Sequence, residues 1–197
     1  MGQTVTVRAT DPAYSAMVVA AQEALRPENL RITVRGEHNR KDGILPIEAH
    51  GLYFYVTGSM EGATVYKSFY TAADLQAAVR NTERAAIIGS MFEVLDGGGV
   101  PVDQWEPDGE PMKVLTITGA VNGAGVLFCD AVLQKIRQKI GDFYVLPSSV
   151  HEVIVVPVAY GIDRDELTEM VRAVNRDEVA PEDRLSDQVY LYDGILH

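Results

Sequence analysis

Residues 96–111, DGGGVPVDQWEPDGEP, interrupt a chain that otherwise alternates short apolar segments with turns. The segment holds three consecutive glycines and three prolines, and its apolar residues follow neither the helix period nor the strand period. Because an irregular loop of this length is uncommon inside a compact domain, it favours a boundary. We therefore predict two small parts, residues 1–95 and 112–197, joined by a Gly/Pro-rich linker at 96–111. The lone Trp105 is expected to pack on a nearby surface.

Residues 112–197 carry apolar runs and turn signals that predict a regular succession of elements. Asn122–Gly123 is a strong hairpin signal, and Asp130 and Asp163 are favourable N-caps for two helices. The predicted strands cover residues 114–118, 124–128, 143–146, 153–156 and 189–192, and the predicted helices cover 131–140 and 164–175. The order β-β-α-β-β-α-β indicates an α+β fold, with antiparallel or mixed sheets covered by helices.

Residues 1–95 show the same mixture of strand and helix periods. Alternating polar and apolar residues predict strands at 4–8, 30–35, 44–49, 52–56 and 64–69. Helical spacing predicts helices that begin after Asp11–Pro12, at residue 71 and at residue 82. The second of these covers residues 71–80 and the third covers 82–95, and the two are either continuous or separated near Asn81. This part is therefore also predicted to be α+β.

Charge and cysteine content exclude several classes of function. Lys and Arg number 17 against 28 Asp and Glu, and the resulting net charge of −11 disfavours nonspecific binding to a phosphate backbone. One cysteine supplies neither an internal disulfide nor a Cys-rich zinc site, and it suits a reducing cytoplasm. The sequence shows no signal-peptide pattern and no apolar stretch long enough to span a membrane. We predict a cytoplasmic protein that binds no cofactor, no nucleic acid and no membrane.

The most distinctive run in the chain is DFYVLPSSVHEVI, at residues 142–154. It is preceded by an Asn-Gly-Ala sequence at 122–124 and followed by LSDQVY at 185–190. Together these residues resemble a family of uncharacterised bacterial proteins common in gut anaerobes, domain-of-unknown-function family 5688 (DUF5688). The resemblance is best over residues 112–192 and weaker over 39–70. It implies an uncharacterised bacterial protein, and it assigns no activity.

Residues 147–152, PSSVHE, place a nucleophile, a base and a carboxylate side by side. In an extended backbone Ser149 and His151 share one face with Cβ atoms ~7 Å apart, which is long for a nucleophile–base hydrogen bond. A turn whose hydroxyls bind loop backbone groups is therefore favoured over a catalytic site. If the protein is an enzyme, its predicted catalytic residues are Ser148, Ser149, His151, Glu152 and Asp187.

Aromatic and histidine side chains supply the remaining candidate sites. A predicted aromatic cluster that packs in a sheet is formed by Tyr53, Tyr55, Tyr66 and Tyr70. As the alternative, Tyr53, Tyr55, Tyr66 and His151 bind a ligand in a groove. The histidines show none of the short spacings that make a metal motif specific, so no metal site is predicted.

The two ends of the chain carry unlike charge. Four basic residues lie between positions 31 and 41, whereas residues 163–193 hold ten acids against four arginines. This asymmetry supports contacts with a protein partner or with a second copy of the chain. Without catalytic spacing, the first hypothesis is a non-catalytic binding or protein-interaction module. The alternatives are a serine hydrolase-like enzyme using the Ser-Ser-Val-His-Glu cluster and an acidic inhibitor or decoy of a basic partner.

Overall fold

The computed structural model describes residues 12–147 and 149–197, and both helices and antiparallel sheets occur in this part of the chain. The α-helices are α1 (Pro12–Ala24), α2 (Ala72–Ala85), α3 (Met91–Leu95), α4 (Asp130–Ile140) and α5 (Arg164–Asp177). The strands are β1 (Arg31–Arg35), β2 (Ile47–Ala49), β3 (Leu52–Met60), β4 (Ala63–Tyr66), β5 (Ala86–Gly89), β6 (Val100–Pro101), β7 (Lys113–Ile117), β8 (Phe143–Leu146), β9 (Val153–Pro157) and β10 (Tyr190–Tyr192). Short 3-10 helices cover Glu37–Asn39, Gly123–Phe128 and Val158–Tyr160. The predicted α+β class is confirmed.

The first sheet is built around β3, its longest strand. β1 pairs with one side of β3, and β2 and β4 pair with successive halves of its other side, all antiparallel. The register sets Val34 opposite Phe54 and Thr33 opposite Tyr55. Because side chains alternate along a strand, one face of this sheet is apolar and the other carries polar and aromatic side chains.

The second sheet has six antiparallel strands in the order β10-β8-β9-β7-β5-β6. Alternation places Val145 and Val155 on the face toward the main core and Leu146 and Val156 on the opposite face. α5 covers that opposite face with an apolar stripe that includes Leu167. The second sheet is therefore covered on both sides.

The main core is shared between the two sheets. Ile32 and Phe54 of the first sheet belong to the same buried cluster as Leu115 and Val155 of the second, together with Ile136 of α4. The outer edge of β1 is also covered, since the backbone N–H of Ile32 donates to the Thr82 hydroxyl at 2.9 Å. The polar face of the first sheet lies next to the loop that follows β7.

Helix ends follow the capping residues only in part. Asp163 caps α5 as predicted, accepting from the backbone N–H of Asp165 at 2.8 Å. Asp130 is instead the first residue of α4, and its carboxylate accepts from the Tyr192 hydroxyl at 2.6 Å. The predicted strand at 4–8 and the Asp11 start of α1 lie outside the described residues.

Residues 124–128 were predicted as a strand after a hairpin turn, and this is wrong. They form a 3-10 helix, and Asn122 precedes it in the left-handed region with φ 55°. The close packing explains the difference, because a Cβ on Gly125 would collide with the Ile32 carbonyl oxygen and a Cβ on Gly123 would collide with the Thr116 hydroxyl. Glycine here permits approach of the backbone to β1 and β7 rather than a hairpin.

Residues 82–95 were predicted as one helix, and this prediction is wrong for residues 86–89. α2 ends at Ala85, residues 86–89 pair with β7 as strand β5, and a new helix begins after Ser90. Ser90 and Glu93 form a capping box that starts this short helix. The spacing of Ala85, Ile88 and Phe92 fits a helix, but Ile88 pairs with Leu115 in the sheet and Phe92 is exposed.

Residues 96–111 lie against the second sheet and α4. Val100–Pro101 pair with β5, and the Trp105 side chain, 5% exposed, belongs to the main core. Lys135 contacts Asp103 at 2.7 Å, and the Lys139 ammonium donates to the Trp105 carbonyl oxygen. The division of the chain into two parts at this segment stays a prediction.

Within residues 12–147 and 149–197, no helix combines the length and the apolar character needed to cross a bilayer.

Candidate functional site

A cleft of about 580 Å³ lies between the polar face of the first sheet, the end of α1 and the loop after β7. Five of its lining residues carry hydroxyl groups: Thr33, Thr57, Ser59, Thr64 and Thr118. We call this cavity the threonine cleft. Its size lies within the range of small-molecule sites.

Thr33 is the most unusual residue of the threonine cleft. Its side chain is 4% exposed, and its hydroxyl oxygen has no hydrogen-bond partner among the described residues. Thr33 stands on the polar face because β1 alternates as Arg-Ile-Thr-Val-Arg, with Ile32 and Val34 in the core. A buried hydroxyl without a partner costs about 1–3 kcal/mol of stability. Thr33 thus lies in the cleft wall with a buried hydroxyl that makes no hydrogen bond to the described residues.

Arg31 provides positive charge at the cleft. Its guanidinium donates to the Leu30 carbonyl oxygen at 2.8 Å, and partial burial lowers its pKa. Arginine nevertheless stays protonated in proteins. Glu23 also lines the cleft, and its carboxylate contacts the exposed Arg26 at 2.9 Å. The cleft therefore combines hydroxyl groups with a guanidinium and a carboxylate.

Arg35 adds a second positive charge on the same face of β1. Its side chain is buried, and neutral oxygens accept its N–H groups: the Val34 carbonyl at 3.0 Å, the Tyr66 hydroxyl at 3.1 Å and the Asn122 side chain at 3.0 Å. These three hydrogen bonds engage Nε and one terminal nitrogen of Arg35 without neutralising its charge. Arg35 therefore places beside the cleft a positive charge that is uncompensated among the described residues.

Asn122 joins the cleft to Arg35. Its amide nitrogen donates to the Thr64 hydroxyl at 2.9 Å, while its amide oxygen accepts from Arg35. The loop that holds it has positive φ at Gly119, Ala120 and Asn122. Asparagine tolerates this conformation better than most residues, whereas alanine does so at a cost of about 1–2 kcal/mol. Strained backbone concentrates at functional sites, and Gly119 and Asn122 of this loop line the cleft.

His151 supports that wall from behind. Its Nδ1 accepts from the backbone N–H of Asn122 at 3.2 Å, and its Nε2 lies 3.4 Å from a carboxylate oxygen of Asp183. The neutral tautomer with the proton on Nε2 satisfies both contacts. His151 therefore orients the Asn122 backbone.

The residues predicted as a catalytic cluster are only partly brought together. The buried Ser149 hydroxyl accepts from the backbone N–H of His151 at 3.0 Å, and Asp183 is the carboxylate beside that imidazole. Asp187 instead accepts from the Asn175 amide at 2.6 Å. Ser148 lies outside the described residues, and Glu152 is half-buried. The Ser149 hydroxyl thus accepts a hydrogen bond from the backbone two residues further along the chain.

Two tyrosines of the predicted cluster pack against each other. The Tyr55 and Tyr66 rings meet edge to face, with centroids 5.3 Å apart, and the Tyr55 hydroxyl accepts from the Lys41 backbone N–H at 3.1 Å. Burial raises the pKa of Tyr66. Tyr53 lies farther along the face, where a hydrogen bond to the Glu37 carboxylate raises its pKa. Tyr66 connects to the cleft through Arg35 and Asn122.

Thr33 and Asn122 were missed by sequence reasoning. The only sequence signal for Thr33 was three polar residues on one face of a five-residue strand, which is also the pattern of a solvent-facing strand. Asn122 carried a signal for positive φ, but it was assigned to a hairpin. Among the described residues, no group of three His, Cys, Asp or Glu side chains is arranged to hold a metal ion.

A sequence model of one protein family matches residues 70–194, and its description is a family of unknown function (DUF5688). The match confirms the resemblance over residues 112–192 and extends it toward the N-terminus. No curated protein and no solved structure matches the chain. The match covers well over half of the sequence and includes the loop wall of the threonine cleft.

Proposed function

The chain belongs to the family of unknown function DUF5688, and from that premise we propose that it is a non-catalytic binding module whose threonine cleft takes a small, polar, negatively charged molecule. The observation that carries this proposal is Thr33, which lines a cavity of about 580 Å³ and whose buried hydroxyl has no partner among the described residues. A bound ligand oxygen would satisfy that hydroxyl and recover its cost. We place this binding protein in the bacterial cytoplasm.

The charge of the ligand follows from the two arginines of β1. Arg31 lines the cleft, and Arg35 lies two alternations further along the same strand face. Both guanidinium groups donate to neutral oxygens, so their positive charge remains available to a carboxylate or a phosphate. The overall charge of −11 repels anions at long range, so binding of an anion here depends on the local charge of these two arginines.

Hydroxyl and amide groups define the rest of the ligand. Thr33, Thr57, Thr64 and Asn122 can each donate or accept a hydrogen bond. Small and branched aliphatic residues complete the lining: Ala20, Ala24, Ile32, Ile117 and Val121. Such a lining suits a hydroxylated anion better than a fatty acid or an aromatic acid.

We do not propose hydrolysis as the function. A serine nucleophile needs its hydroxyl within hydrogen-bond reach of a base, and the Ser149 hydroxyl accepts instead from the backbone N–H of His151. The imidazole of His151 is engaged by Asn122 and Asp183. These contacts support a positioning role for His151.

Thermal shift measurements followed by calorimetry test the proposed function. The probes are inorganic phosphate, citrate, D-gluconate and D-glucose 6-phosphate, with uncharged D-glucose for comparison. We expect at least one charged probe to raise the melting temperature and bind, and Arg31→Gln to weaken that binding by about tenfold or more. Arg80→Gln is the matched control, because Arg80 is exposed on α2.

Two results would contradict the proposal. One is that none of the charged probes binds the wild-type protein at about 10 mM, a concentration that detects even weak sites. The other is that Arg31→Gln and Arg80→Gln bind the best probe equally well.

A further inference from the structure

A second cavity, of about 380 Å³, lies between the 3-10 helix Glu37–Asn39, α5 and the segment that leads into β10. Its polar lining includes His38, Arg172, Asn175, Arg176, Arg184 and Asp187. None of these residues lines the threonine cleft. The cavity is at the small end of the range for ligand sites.

Asn175 is the buried residue of this second cavity. It is 3% exposed, and its amide nitrogen donates to the Asp187 carboxylate at 2.6 Å and to the Ser186 carbonyl oxygen at 3.0 Å. These two acceptors fix which end of the amide is nitrogen. The amide oxygen is buried and has no partner among the described residues. A buried amide oxygen of this kind requires an N–H or O–H donor.

Asp187 determines which donor fits best. Its carboxylate lies beside the Asn175 amide and lines the same cavity. A carboxylate next to an unused carbonyl-type oxygen favours a cationic donor, because one ammonium can donate to both groups. This end of the cavity therefore suits an ammonium group.

The arginines determine the other end of the ligand. Arg172 and Arg176 contact Glu169 and Asp177 of their own helix at 2.6 and 2.8 Å, whereas Arg184 donates through Nε to the Val179 carbonyl oxygen. Arg184 is half-buried, whereas Arg172 and Arg176 are exposed. Guanidinium groups bind carboxylates in a planar, two-bond arrangement.

We propose that this second cavity binds a free α-amino acid. The ammonium group would donate to the Asn175 amide oxygen and the Asp187 carboxylate, and the carboxylate would face Arg184. A zwitterion matches a cavity that presents acceptors and guanidinium groups together, whereas a simple anion leaves the Asn175 oxygen without a donor. This site is independent of the anion proposed for the threonine cleft.

Calorimetry with each of the standard L-amino acids tests this site. We expect at least one to bind, and its N-acetyl and its amide derivatives to bind about tenfold more weakly or not at all, because each derivative lacks one charged end. Asp187→Asn and Arg184→Gln are expected to weaken binding by a similar factor. Arg80→Gln serves as the control.

Loss of ligand binding can be distinguished from loss of folding in these variants. Asp187 is exposed, so Asp187→Asn is expected to fold, and circular dichroism of each variant verifies this. If Arg184→Gln fails to fold, the blocked derivatives and Asp187→Asn still decide the question. The proposal is overturned if no amino acid binds at about 10 mM, if the blocked derivatives bind as well as the free form, or if folded Asp187→Asn binds like the wild type.

Discussion

Thr33 and Thr116 are both buried threonines in strands, but their hydroxyls have opposite roles. Thr116 donates to the His151 carbonyl oxygen at 2.7 Å, whereas Thr33 has no partner among the described residues. Replacing Thr33 by valine keeps the shape and removes an unsatisfied group. We expect Thr33→Val to raise the free energy of unfolding by about 1 kcal/mol, which corresponds to a melting temperature about 2–4 °C higher. Thermal unfolding of the ligand-free wild type and of Thr33→Val measures this change in melting temperature.

The matched variant is Thr116→Val. This substitution removes the Thr116 hydroxyl that donates to the His151 carbonyl oxygen. We therefore expect the free energy of unfolding to fall by about 1–2 kcal/mol. If both variants destabilise the protein to a similar extent, the Thr33 hydroxyl has a hydrogen-bond partner in solution. That result would contradict the proposal that this hydroxyl is free to bind a ligand in the threonine cleft.

Cys129 is a second residue whose surroundings decide its chemistry. The side chain is fully buried, and this burial, with the nearby Glu83, raises the pKa of the thiol to about 12. The folded protein therefore favours the neutral thiol, and this contribution to stability is present below the unfolded pKa and is lost as the pH rises toward 12. We expect the native thiol to resist a disulfide reagent at pH 8 and to react fully in guanidinium. Prompt labelling of the native protein would contradict this.

At the scale of elements, residues 96–111 contribute a buried anchor. Trp105 belongs to the main core, and three lysines, Lys113, Lys135 and Lys139, contact acids or a carbonyl group of this segment. We expect Trp105→Ala to lower the free energy of unfolding by about 3–5 kcal/mol. Urea unfolding should be followed by far-UV circular dichroism, because Trp105 is the single tryptophan and its removal abolishes the fluorescence signal.

Trp105→Phe is the control for that experiment, since it keeps an aromatic ring in the core. It should retain most of the stability that Trp105→Ala loses. A loss below about 1 kcal/mol in Trp105→Ala would mean that the segment packs only loosely on the sheet.

The elements that sequence reasoning predicted well are those whose pattern and local packing agree. Strands β8 and β9 are continuous apolar runs, and α5 has both an amphipathic stripe and an Asp163 cap. Residues 86–89 and 124–128 were mispredicted because partners distant in sequence decide their structure. Ile88 follows helical spacing but pairs with Leu115, and Gly125 packs against Ile32, about ninety positions away.

The candidate site was less predictable than the fold for the same reason. Tyr55, Tyr66 and His151 were identified as chemically notable residues, and all three contact the network around Arg35 and Asn122 or its neighbours. Thr33 carries no distinctive motif. Its importance depends on a loop more than eighty positions away that closes the cleft above it.

At the scale of the whole molecule, the shared core leads us to expect one cooperative unfolding transition. Residues on both sides of segment 96–111 belong to a single buried cluster, so neither side keeps its core when the other unfolds. Trp105 fluorescence and far-UV circular dichroism should give coincident urea transitions. Two separated transitions would instead support the predicted division into residues 1–95 and 112–197.

The most direct measurement is a crystal structure of the protein with the charged probe that gives the largest thermal shift. We predict density for the probe in the threonine cleft, with a ligand oxygen about 3 Å from the Thr33 hydroxyl and the anionic group facing Arg31. Density for the probe at another surface, with the Thr33 hydroxyl still unpartnered, would contradict the proposed function.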